Sequence, residues 1–244
     1  MKYPKIAVIP DTQCKPGVPL NHLTAAGNYI AEKCGKGDII VQLGDMWDFP
    51  SLSEYERDKP AVLATHDVEA DIASGNEGMR LLNKALGRCK AERIILRGNH
   101  ENRTKRAIQK DPKLRATLAE SRMESPGWKV IPFLRPIERY GVSFVHYWGS
   151  PGKAWTGKCD SILKRVGRSF FAGHKQGKDP AEHWMPGGAC RRGYIVGSFY
   201  QHEEDYLGPQ ENSHWRGIVF ANEVRNGAFD AMELSLDYLM RRYL

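Results

Sequence analysis

Three short aliphatic runs, Ile6–Ile9, residues 38–43 and Glu92–Leu96, each end abruptly in polar residues of one kind. The first leads into Pro10-Asp11-Thr-Gln13, the second into Gly44-Asp45-Met-Trp-Asp48, the third into Gly98-Asn99-His100-Glu101. Short apolar runs bounded by proline or glycine read as fully buried strands. Between the first two, Leu23, Ala26, Ile30 and Cys34 recur at helical spacing, so strand, helix and strand follow one another. That order predicts a βαβ unit with parallel strands, whose carboxyl ends face the ligand crevice of an α/β sheet. Asp11 and Asp45 then stand side by side at one sheet edge. Pro-Asp-Thr alone is ordinary turn chemistry. Strand after strand ending in Asp, Asn or His is a pattern that turns alone do not explain.

The rest of the chain repeats the design. A helix is expected over about 60–87, interrupted around Ser74, Gly75 and Gly78, and another after Glu101. The latter carries Arg103, Lys105 and Arg106 near its start, where helix end and cations together suit a phosphate. Residues 128–132 and 140–146 read as strands, the second delivering His146. Residues 154–166 read as a basic helix, and residues 169–176 as a strand ending in Gly173-His174-Lys175-Gln176. Strands at 194–198, 217–220 and 228–236 follow without intervening helices, which predicts antiparallel pairing and a second sheet packed on the first. The expected fold is therefore α/β: a four-layer α-β-β-α sandwich of two mixed sheets flanked by helices, in one domain over 1–244, with the site at strand carboxyl ends.

Apolar runs stop at four or five residues, far short of a membrane span. The amino terminus has no charged-then-apolar leader, and the five cysteines are odd in number, widely spaced and free of Cys-x-x-Cys. The expectation is a reducing cytoplasm and neither a disulfide framework nor a thiolate zinc site. Net charge is +7, unevenly spread: residues 97–115 carry seven Lys/Arg against two acids, and residues 151–192 nine against three. Both windows abut the polar strand ends, which points to an anionic partner there.

Carboxylates, imidazoles and amide oxygens gathered at one sheet edge are what two adjacent divalent cations require. Asp11-Thr-Gln13, Gly44-Asp45-Met-Trp-Asp48, Gly98-Asn99-His100-Glu101, His146 and Gly173-His174-Lys-Gln176 together resemble the motifs of the calcineurin-like metallophosphoesterases. Order and spacing match over roughly the first 180 residues. The resemblance implies that Asp45 bridges two metals. It assigns Asp11, Gln13 and Gln176 to one of them, and Asn99, His146 and His174 to the other. His100 would act on the leaving oxygen or the transition state, oriented by Asp48, while hydroxide held by the metals attacks phosphorus in line.

Two positions depart from the family pattern, since Gln13 and Gln176 stand where it has histidine. Both fall on the same metal, whose donors are then all oxygen. Such a site favours Mn²⁺ or Mg²⁺, whereas the histidine-bearing site suits Mn²⁺, Fe²⁺ or Zn²⁺; Mn²⁺ is the expected metal, with unequal occupancy. The reading set against this is a decayed centre. Gly44 to Ser53 with Tyr55 and Arg57, and the tail with Gly197, Ser198, Tyr200, Tyr206 and Trp215-Arg-Gly217, resemble uncharacterised phosphoesterases common in bacteriophage genomes, which would put the protein in a host cytoplasm.

The basic windows, with Arg103 and Lys175, and tryptophans near the motifs, Trp47 first among them and Trp148, Trp155 and Trp184 beside it, favour a nucleic-acid or nucleotide phosphodiester as substrate. The alternatives are a phosphomonoesterase or protein phosphatase, and a nucleic-acid-binding module with a vestigial metal site.

Overall fold

Strands β1 (Ile6–Ile9), β2 (Ile39–Gln42) and β3 (Glu92–Leu96) pair in parallel, with Ile6 opposite Ile39 and Ile39 opposite Glu92. The computed structural model describes residues 3–54, 67–204, 210 and 212–244. Tyr55, Arg57, Tyr206 and the expected helix start at 60–66 lie outside them. Strand β4 (Lys129–Ile131) extends the parallel set beyond β3. The intervening chain crosses over through helix α1 (His22–Lys33), helix α2 (Val68–Leu86) and helix α3 (Glu101–Lys110).

Helix α2 starts on Asp67, whose carboxylate accepts from the amides of Glu69 and Ala70, and it runs unbroken. The expected interruption is absent for a packing reason. Gly75 is small because the Trp47 indole fills its side-chain space; a Cβ there would lie 1.8 Å from Trp47 Cδ1.

Strands β5 (Ile137–Arg139), β6 (Val142–Val145), β9 (Phe170–Ala172), β10 (Asp179–Trp184) and β11 (Cys190–Ile195) form a second mixed sheet in the order β10-β11-β9-β6-β5. A small hairpin of β7 (Gly149–Ser150) and β8 (Lys153–Ala154) precedes helix α4 (Cys159–Val166), so the expected helix begins later than residue 154.

The tail differs from expectation in three ways. Strands β12 (Gly217–Arg225) and β13 (Ala228–Ser235) join the first sheet, β12 pairing antiparallel with β1. Strand β11 pairs with β9 in parallel, not antiparallel. A closing helix α5 (Leu236–Tyr243), not anticipated from the sequence, follows the last strand and is capped by the Ser235 hydroxyl.

Apolar faces explain these placements. Ile218 and Phe220 of β12 pack with Ala7 and Ile9 of β1 and with α1, α2 and α5 in one core cluster. Val219 and Ala221, on the alternate face, pack with Val8 and Val41 and with Phe144 and Phe171 of the second sheet in another. A strand apolar on both faces belongs inside a sheet covered on both sides. The third cluster joins Val145, Phe170 and Ile195 to Cys159, Ile162 and Leu163 of α4. The chain is thus α/β, with two mixed sheets and helices, and both sheets send strand ends toward the same edge.

Candidate metal centre

The loop after β2 sets the geometry. Glu101, at the first turn of α3 and 2 % exposed, accepts hydrogen bonds from four backbone amides: Asp45 (3.1 Å), Met46 (2.7 Å), Trp47 (3.0 Å) and Gly98 (2.7 Å). One carboxylate thereby ties the loop after β2 to the loop after β3. Gly98 permits the contact, since a Cβ there would lie 2.0 Å from Asp45 Oδ1. The same oxygen accepts from the His100 amide at 2.9 Å. Asp45 holds a left-handed backbone (φ 53°), as do Gln13 (φ 42°) and His174 (φ 70°). Non-glycine residues adopt it at an energetic cost and tend to do so where function constrains them.

Donor atoms of Asp45, His146 and His174 lie within 4.8 Å of one another. His146 directs Nδ1 at the Leu43 carbonyl (3.0 Å), which leaves Nε2 facing Asn99 Oδ1 at 2.8 Å and Asp45 Oδ2 at 3.3 Å. A carbonyl-anchored imidazole with its other nitrogen turned inward is how metal-ligating histidines are usually held. His174 Nδ1 faces the same Asn99 oxygen at 2.7 Å. These residues come from the ends of β2, β3, β6 and β9, two strands from each sheet.

Burial would raise the Asp45 carboxyl, but His100 and His146 reverse that and hold it well below the usual range. Burial would lower His146; Asp45 and Asp11 instead hold it up at about 9. Burial and His146 push His174 down to about 4. Asp11, fully buried, is raised to about 7 by burial, with His146 opposing and Asp45 adding. Carboxylates this buried are stable as anions only beside compensating positive charge.

Asp11 accepts the His174 amide on both oxygens, at 3.0 and 3.1 Å, and its Oδ1 lies 4.0 Å from His146 Nδ1. Gln13 is 1 % exposed, and its Oε1 has no hydrogen-bond partner among the described residues. An orphaned buried carbonyl costs about 1–3 kcal/mol, and a cation is what an acceptor-only oxygen would satisfy. On that observation and on the donor set, the residues present fit divalent metal. Gln176 stands apart: its Oε1 accepts from the buried Tyr200 hydroxyl at 2.8 Å.

Beside the cluster, His100 Nδ1 lies 2.6 Å from Asp48 Oδ1, and Arg103 Nη2 lies 3.0 Å from His100 Nε2. A guanidinium only donates, so Nε2 accepts there and Nδ1 carries the proton to Asp48. Burial opposes charge on this imidazole, but Asp45 and Asp48 outweigh it and hold its pKa above the ordinary value. Arg103 also donates to the carbonyls of Asp48 (2.9 Å) and Phe49 (3.1 Å).

Two residues unseen in the sequence complete this network. Lys15 Nζ lies 4.0 Å from Asp48 Oδ2 and 2.9 Å from Glu204 Oε2, and Glu204 in turn meets His202 Nε2 at 2.6 Å. Lys15 had a signal in its nearness to Gln13. Glu204 had none, being 189 positions from its partner.

The expected substrate contacts fare unequally. Arg103 lines a cleft of ≈ 450 Å³ whose lining includes Asn99 and His174. Trp47 cannot stack on a base: it is 0 % exposed, and its indole packs on α2 and donates to Asn76 Oδ1 at 3.1 Å. The Lys175 ammonium is turned onto the Gly157 carbonyl. The basic windows are more neutralised than the sequence suggests. Arg97 and Lys105 meet Glu120, Arg106 and Lys110 share Glu54, and Lys178 and Arg192 pair with Glu233 and Glu182. A larger cavity, ≈ 640 Å³, lies between α5 and a wall that includes Gln201, Asn212, His214 and Arg216, and has none of the strand-end donors in its lining.

No protein-family model and no curated protein matches the chain. Among the described residues, no helix is long and apolar enough to cross a membrane.

Proposed function

We propose that the chain is a metal-dependent phosphoesterase of the calcineurin-like kind that hydrolyses a phosphodiester of a nucleic acid or nucleotide. One observation carries the reading: Asp45, Asn99, His146 and His174 converge from four strand ends of two sheets, next to an imidazole held by its own carboxylate. The four-layer α-β-β-α sandwich belongs to the same proposal and is supported by three successive core clusters.

Asp45, Asn99, His146 and His174 would hold one divalent cation, and Asp11, Gln13 and Gln176, with Asp45 shared, the other. Mn²⁺ suits both, Mg²⁺ the carboxamide side and Zn²⁺ or Fe²⁺ the imidazole side. Bound there, the pair supplies charge at the phosphoryl oxygens and acidifies water.

The chain's own residues do the rest. Asp48 fixes His100 with its proton on Nδ1, so Nε2 is the atom that exchanges a proton with the ester. Arg103 now occupies Nε2. A phosphoryl oxygen drawing the guanidinium toward itself would free that nitrogen to take up a proton from water, which it would then pass to the leaving oxygen, so that substrate binding and proton transfer are coupled. Burial would raise the Asp48 carboxyl, but His100 first, then Arg103 and Lys15, hold it below the usual range, with Lys15 shared between Asp48 and Glu204. Action in a reducing cytoplasm, that of a host cell for a phage-encoded protein, is part of the same proposal; the five cysteines form no disulfide.

The test is Mn²⁺-dependent hydrolysis of bis(p-nitrophenyl) phosphate and of single-stranded DNA, abolished by Asp45→Asn. Turnover of p-nitrophenyl phosphate alone would replace the reading with a monoesterase. Single-stranded DNA binding unchanged by Asp45→Asn in a protein inert to all three would replace it with a binding module.

A further inference from the structure

We infer that Phe133, braced by Tyr147, is the platform on which a nucleobase of the substrate stacks, so that the group esterified beside the scissile phosphate is a nucleoside. The inference rests on the phosphoesterase reading and adds to it the group that is recognised. The cleft at Asn99 and His174, ≈ 450 Å³, falls within the size range of small-ligand sites. Its cationic lining comes from α3 as Arg103 and Arg106, and its aromatic lining is Phe133 and Tyr147.

Tyr147 is 5 % exposed, and its ring centroid is 4.6 Å from that of His174. Its hydroxyl donates to the Ser150 carbonyl at 3.3 Å and accepts from the Gly152 amide at 3.1 Å, so that end of the ring is held by two partners. Phe133 stands edge-on to it, with centroids 5.5 Å apart and planes at 79°, and is only half-buried. An aromatic surface is thus held in the cleft beside a metal-ligand histidine.

Charge and shape favour a base there over a bare sugar phosphate. Arg106 and Lys110 share the single carboxylate of Glu54, which leaves net positive charge along α3 for phosphate oxygens. A base stacked on an aromatic ring contributes about tenfold in binding, which a sugar phosphate would forgo. The tryptophans do not offer this surface. Trp47 is sealed in the core, and Trp148 and Trp155 stack on each other with Arg165 over Trp155. Trp184 is 68 % exposed but is not part of the cleft lining.

Two p-nitrophenyl diesters with the same leaving group test the platform: thymidine 5′-(p-nitrophenyl phosphate) and methyl p-nitrophenyl phosphate. Wild-type protein should favour the thymidine ester in KM, and Phe133→Leu should shrink that preference about tenfold. Phe133→Trp should restore it. A preference unmoved by Phe133→Leu overturns the inference. Calorimetric binding in Mn²⁺ reads the platform without turnover, and so separates its failure from that of the phosphoesterase reading. Thymidine 5′-monophosphate should bind about tenfold tighter than ribose 5-phosphate, with the difference lost in Phe133→Leu. Equal binding of the two overturns the inference even in an active enzyme. Competition by oligothymidylate below the concentration at which the mononucleotide competes supports a polymer as source of the base, and the reverse order a free nucleotide. Competition by neither overturns it.

Discussion

The two sides of the candidate centre are built differently. On the imidazole side, His146 is aimed by the Leu43 carbonyl, Asp45 by a loop pinned on Glu101, and Asn99 by its place between two histidines. On the carboxamide side, Asp11 leans on the His174 amide, Gln13 keeps a buried oxygen without a partner, and Gln176 hangs on Tyr200. One side bears nitrogen donors; the other offers only oxygen, and its Gln13 oxygen has no hydrogen-bond partner among the described residues. A neutral amide oxygen is a weak, hard donor, so the comparison predicts two unlike metal affinities in one centre.

The largest effect should come from the residue that serves both sides. Glu101→Gln replaces an acceptor for four amides with a group that must present an NH₂ to some of them. Destabilisation of about 3 kcal/mol by denaturant unfolding is expected, with loss of metal binding on both sides through Asp45. A variant as stable as wild type would show that the loop stands without it.

Next in size is the contrast between ligands. His174→Ala should weaken Mn²⁺ binding about a hundredfold by calorimetry, and Gln13→Ala only about tenfold at the other site, each figure an order of magnitude. Equal losses would erase the distinction between the sides.

Converting the softer prediction into a gain, Gln13→His with Gln176→His should shift the carboxamide side from Mn²⁺ and Mg²⁺ toward Zn²⁺ by about tenfold in competition titrations. Unchanged preference would mean that the two glutamines are not ligands.

Taken per pH unit, the smallest effect concerns acid. His22 packs edge-on to Phe199, whose amide donates to the Asp11 carbonyl, and Gln201 lies against its Nδ1. Burial, with His202 nearby, pushes His22 down to about 3. Unfolded, it takes a proton near the ordinary value of 6.5. Between those values the unfolded state binds more protons. Stability is therefore full above pH 6.5 and is lost at about 1.4 kcal/mol per pH unit as pH falls toward 3. Denaturant titrations of wild type and His22→Gln across that window should differ by this slope; identical slopes would contradict it. The carboxamide side, which His22 backs, should yield to acid first.

Much of the frame was legible. Polar residues closing aliphatic runs marked β1, β2, β3, β6 and β9, because a strand buried on both faces must be apolar until it leaves the sheet. Glycines misled: Gly75 looked like a helix break because nothing local shows that an indole from residue 47 will press on it. Trp47, chosen for base stacking, is core, whereas Phe133, which lacks any motif, lines the cleft. Burial is a property of partners, and partners are not local.

What the sequence determined alone is the set of donors and their order: which strand ends carry Asp, Asn, Gln and His, and that two glutamines make one side oxygen-rich. The polar strand ends follow from where the apolar runs stop; that the two glutamines fall on one side is what the resemblance to the calcineurin-like enzymes implies. The tertiary structure decided that β12 closes on β1, that Tyr200 holds Gln176 and that Lys15 is shared by Asp48 and Glu204. It also turned Glu101 from one more acid in a motif into the anchor of four amides. Each of these contacts joins segments far apart in the chain or depends on how two loops approach, and only packing two sheets together fixes that distance.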